Sequence, residues 1–117
     1  MIKTTTCLLL STTLWLSPAH AINDAQFDTI KQLGKLNGSA LNCRYLNETQ
    51  QMKRAMIETL PKLRILGEAF NQATNEGFLA MIAENKPCPD EQTLSRQVDQ
   101  RIEAVKRAFM KPEKLFQ

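Results

Sequence analysis

Apolar residues after position 21 recur every three or four positions, and no stretch alternates apolar with polar as a half-buried strand would. The pattern predicts helices. In the first, Phe27, Ile30, Gly34, Gly38, Leu41 and Tyr45 fall within about 80° of arc at 100° per residue. Leu33, Leu36, Ala40 and Cys43 form a second apolar band on the other side, so this helix is expected at the centre of the fold, with partners on both faces. Asp24 is the expected cap. Two glycines inside one helix cost about 2 kcal/mol relative to alanine, which close approach of a neighbouring helix at Gly34-x-x-x-Gly38 would offset. Asn37-Gly38 followed by Ser39 also reads as a break signal. The apolar phase runs through it, which favours one helix, bent or straight.

Further along, Asn47 and Gln50 resemble a capping pair for a second helix carrying Met52, Ala55, Met56 and Thr59. Pro61 cannot continue that helix and suits the first turn of a third, which places Leu63, Leu66, Phe70 and Ala73 on one face. Asn75-Glu76-Gly77 is a candidate interruption before the apolar cluster at residues 78–83. Pro87-Cys88-Pro89 is non-helical. Asp90 caps a last helix whose stripe is Leu94, Val98, Ile102, Val105 and Phe109, and Pro112 ends it. The expected fold is all-α: a small bundle of about four helices, stapled by one disulfide.

Residues 1–21 follow a different rule. A basic start at Lys3, an apolar and hydroxyl-rich run too short to span a bilayer, and an Ala19-His20-Ala21 ending predict a secretory signal cleaved after Ala21. Residues 22–117 are then a single domain, periplasmic or secreted, of bacterial type. Cleavage removes the only histidine, His20, the only tryptophan, Trp15, and Cys7. Two cysteines remain in an oxidising compartment, and a Cys43–Cys88 bridge is expected. Closing a loop of that length stabilises by roughly 3 to 4 kcal/mol on a loop-entropy argument. A redox or metal role would call for Cys-x-x-Cys or a nearby histidine, and neither is present after position 21.

Charge excludes more than it suggests. The chain carries 15 basic and 12 acidic residues, and loss of Lys3 leaves 14 against 12. That near balance gives no nucleic-acid footprint. No later apolar run is long enough to cross a membrane. Without histidine there is no His-based triad or His-ligated metal, and no glycine-rich phosphate loop occurs. The carboxylates of Glu48, Glu58, Glu68, Glu76, Glu84, Glu91 and Glu103 are interspersed with cations, as on solvated helix faces.

What remains is binding. The expected function is that of a small exported helical protein, without cofactor, acting on another macromolecule and in the first instance a protein: an inhibitor, immunity protein, chaperone or accessory subunit. Candidate contacts are Arg44 and Tyr45 beside the disulfide, and the basic end formed by Arg107, Lys111 and Lys114. A second basic group joins Lys53 and Arg54 to Lys62 and Arg64. The first alternative is a small-ligand or Cu(I) carrier using the thioethers of Met52 and Met56, one turn apart, with Met81 or Met110 as a third ligand. The second is a small hydrolase built on paired carboxylates.

Overall fold

A computed structural model of the chain describes residues 21–110, and the expected signal, Lys111, Pro112 and Lys114 lie outside them. Four helices follow in order: α1 (Asp24–Asn42), α2 (Leu46–Thr59), α3 (Arg64–Ala83) and α4 (Glu91–Phe109). No strand occurs among the described residues. The protein is an all-α bundle with one disulfide. Cys43 at the end of α1 is bonded to Cys88 in the segment before α4, with 5.7 Å between their Cα atoms.

α1 is the central element. It packs against α3 on one side and against α2 and α4 on the other, whereas the backbone of α3 keeps more than 8 Å, Cα to Cα, from α2 and α4. The two apolar bands of α1 supply these two contacts. A single core cluster gathers Ile30, Leu33 and Ala40 from α1, Met52, Ala55 and Met56 from α2, Leu66 and Phe70 from α3, and Leu94, Val98, Ile102 and Val105 from α4. Phe109 closes the end of the α4 stripe, half-buried against this cluster.

The α1–α3 contact is made through small residues. A Cβ placed on Gly34 would sit 2.7 Å from both the Ala73 Cβ and the Phe70 carbonyl oxygen. One on Gly38 would overlap backbone atoms of Thr74, Gly77 and Phe78, and one on Gly77 would overlap the Lys35 carbonyl. The two backbones meet here with nothing between them, which offsets the helix-propensity cost of the glycines. Beside them Asn37, 1% exposed, donates to the Thr74 hydroxyl at 3.1 Å, and that hydroxyl donates to the Phe70 carbonyl at 2.8 Å. α1 runs unbroken through Asn37 and Gly38, and α3 through Asn75, Glu76 and Gly77.

Several boundaries differ from the sequence-based expectation, each for a local reason. The cap of α1 is Asn23, one residue earlier than Asp24, in a capping box with Gln26. α1 stops at Asn42, so Tyr45 lies beyond it. Arg44 adopts φ 62°, the Tyr45 N–H donates to the Ala40 carbonyl at 2.9 Å, and the Arg44 N–H donates to Leu41 at 3.2 Å. This is a Schellman ending with arginine where glycine is usual. α3 ends in the same way around Asn85 at φ 48°, with the Lys86 N–H on the Met81 carbonyl at 3.1 Å. Tyr45 then precedes α2 as its N-cap without a side-chain bond, which places Asn47 inside the first turn instead of at the cap. Pro61 stands in an extended link, residues 60–63, and α3 starts three residues after it. Asp90 caps α4 as expected, and the hydroxyl and N–H of Thr93 hold its carboxyl below the usual carboxylate value.

Candidate functional site

At the disulfide end, Arg44 is exposed and its backbone is committed to the left-handed turn. Tyr45 is half-buried against the core, and its hydroxyl donates to the Pro89 carbonyl at 2.6 Å. That bond ties the start of α2 to the same segment that the disulfide holds. The tyrosine hydroxyl is therefore engaged within the protein, and only Arg44 of the pair presents a free polar group.

At the C-terminal end of α4, Arg107 is exposed and makes no ion pair among the described residues, while Lys106 lies 3.8 Å from Glu103. Lys111 and Lys114 fall outside the described residues.

The methionines of the copper reading differ widely in exposure. Met52 is sealed in the core and Met56 is 9% exposed; Met81 is buried on α3, and Met110 follows α4 at 40% exposure. No group of three His, Cys, Asp or Glu side chains comes together among the described residues. Asp99 accepts from the Gln51 amide at 2.8 Å. Glu48 departs from the solvated-face expectation: it is 6% exposed, in the first turn of α2, with one carboxylate oxygen lacking a partner. It faces no second buried carboxylate, since the other buried polar residues are Asn37, Thr49 and Thr74.

The most distinctive surface is the elbow where α2 passes into α3. Ile57 is 78% exposed, Leu63 42% and Ile65 54%. Ile57 and Leu63, with Met56, Leu60, Pro61, Lys62, Leu66 and Gly67, border a shallow apolar groove of about 360 Å³, and Ile65 lies outside it. The cause is local. Pro61 forces the chain out of helix for four residues, and the extended link turns Leu63 outward just as Ile57 leaves the α2 core stripe. Helical spacing sets Lys53 and Arg54 one turn from Ile57, and Lys62 and Arg64 flank Leu63. All four cations are exposed, and Glu58 and Glu68 are the nearby acids in sequence. Sequence reasoning found the cations and missed the apolar residues between them. The available signal was Ile57 and Ile65, both out of phase with their helices' buried stripes.

No helix among the described residues is long and apolar enough to cross a membrane. Comparison with protein-family models, with curated proteins and with solved structures finds no match to this chain.

Proposed function

We propose that the protein is an exported binding module that docks another protein at the α2–α3 elbow. The observation that carries this is the exposed apolar groove along Ile57, Leu60 and Leu63, with Lys62 in its lining and Lys53, Arg54 and Arg64 close by in sequence. Contiguous exposed apolar surface rimmed by polar groups marks contact sites in folded proteins, and scattered single apolar residues do not. The chemistry selects an acidic amphipathic helix as partner. Its apolar face would cover Ile57, Leu60 and Leu63, and its carboxylates would meet Lys62 and the neighbouring Lys53, Arg54 and Arg64. Electrostatic complementarity of this kind speeds association and fixes register. Export is supported by the leader-like residues 1–21 and by a disulfide that an oxidising compartment would maintain.

The test uses tagged full chain expressed in its native host, with the captured protein identified by mass spectrometry. Ile57→Glu and Leu63→Glu should leave melting nearly unchanged, because both side chains are already exposed. They should remove the same identified partner that the unaltered protein retains. Capture that survives both substitutions overturns the elbow as the docking face. Self-association lost in the variants would make the occupant a second copy of this chain.

A further inference from the structure

A second surface has the opposite character. Because α3 and α4 both pack on α1 with their Cα atoms more than 8 Å apart, an open cleft runs between them over α1. Its volume is about 440 Å³, within the range of small-molecule sites. We propose that this cleft binds a small oxyanion ligand carrying two or more negative charges, held by Lys35, Lys86 and Arg101 with the amides of Gln32, Gln97 and Gln100.

The sign of the lining is uniform. Three cations and no carboxylate border the cleft, although the chain as a whole carries 12 acidic residues against 15 basic ones. The donors are also uncommitted. Lys35 and Arg101 make no ion pair among the described residues, and none of the three glutamine amides makes a hydrogen bond there. Lys86 lies 2.7 Å from Glu84, but both side chains are more than half exposed, and such pairs exchange readily for a better anion.

Each cation stands on fixed backbone. The Lys35 carbonyl is packed against Gly77 where the backbones of α1 and α3 meet. Lys86 closes the Schellman turn of α3, two residues from the disulfide. Arg101 sits mid-α4, preceding buried Ile102. Solvated lysines on a lone helix face have no such convergence from three elements. Arginine's planar fork suits two oxygens of one carboxylate or phosphate, and lysines add point charge. Lys35 also borders a neighbouring groove containing Lys31 and Glu76, so its ammonium has one competing acid within reach. The shared ligand chemistry is a polycarboxylate or a phosphoryl compound.

Calorimetric titration and amide-shift mapping of the disulfide-bonded full chain at low salt test this, with citrate, inorganic pyrophosphate and uncharged sorbitol as probes. At least one anion should bind saturably and one to one, with shifts confined to the cleft and none for sorbitol. Tighter citrate binding identifies a carboxylate ligand, and tighter pyrophosphate binding a phosphoryl one. Arg101→Gln and Lys86→Gln should each weaken binding about tenfold, as loss of a charge-assisted contact predicts. Lys53→Gln and Arg107→Gln, equally cationic but remote, should leave it unchanged. Melting should be unaltered in all four, since these side chains are exposed. Equal losses in the remote variants, shifts spread over all cations, or no saturation by about 10 mM of either anion would each overturn the site.

Discussion

α1 is held in two different ways on its two sides. Toward α3 the contact is backbone on backbone at Gly34, Gly38 and Gly77, with a polar Asn37–Thr74 link sealed inside. Toward α2 and α4 it is a layer of large apolar side chains, with Leu33 in one cluster with Met52, Leu94, Val98 and Ile102, and the disulfide ties the end of α1 to the segment before α4. At the three glycines of the first side, backbone of the facing helix blocks any added atom and cannot move aside as a flexible side chain could. The second is made of flexible groups that can rearrange. Sensitivity to added volume should therefore be concentrated on the α3 side, and sensitivity to lost volume on the other.

The largest expected effects set these two against each other. Gly38→Ala adds one methyl where Thr74, Gly77 and Phe78 backbone already stands, and should cost about 3 kcal/mol in denaturant unfolding. Leu94→Ala removes three carbons from the buried cluster and should cost about the same, through the cavity it leaves. Near-neutral Gly38→Ala would show that α3 can slide on α1, and the contrast would collapse.

Removal of the bridge comes next. Cys43→Ser with Cys88→Ser should lower stability by roughly 2 to 4 kcal/mol. The helical circular dichroism signal should persist at low temperature, because the aliphatic core of α2 and α4 survives the loss. Alkylation of both thiols in native, unreduced protein would contradict the bridge outright.

The smallest effect is a control with the opposite sign. Gly67 lies on α3 with open space around its Cα. Gly67→Ala should raise stability by about 0.5 to 1 kcal/mol, read as a higher melting temperature. The same substitution at Gly38 and Gly67 thus separates a glycine held by packing from one that merely weakens its helix.

Much of the fold was legible in residue order. The four stripes, the two-sided α1, the Gly34–Gly38 approach, the Asp90 cap and the disulfide all follow from spacing and composition. The end of α1 was not, because arginine carries no stop signal: the left-handed turn at Arg44 is stabilised by hydrogen bonds back to Ala40 and Leu41 that only the folded helix offers. Pro61 was placed inside α3 because a proline at a first helical turn and one in an extended link look alike in sequence. Glu48 looked solvated because its burial depends on the helices around α2, a tertiary fact. The surfaces were hardest to see. Gln32, Lys86, Gln97 and Arg101 each look like ordinary solvent-facing residues, and they share one cleft only because α3 and α4 stay apart.

The bridge has one more consequence. It joins positions 43 and 88, so the extended link at residues 60–63 lies within the covalent ring. Lys62 in that link is exposed and non-helical, which is how a trypsin-like protease finds its substrate. A single cut after Lys62 would open the ring without releasing either part. The nicked protein would keep α1 and α2 linked to α3 and α4 through sulfur, and would come apart into two chains only on reduction. Damage at the elbow would thus be survivable in an oxidising compartment and lethal in a reducing one.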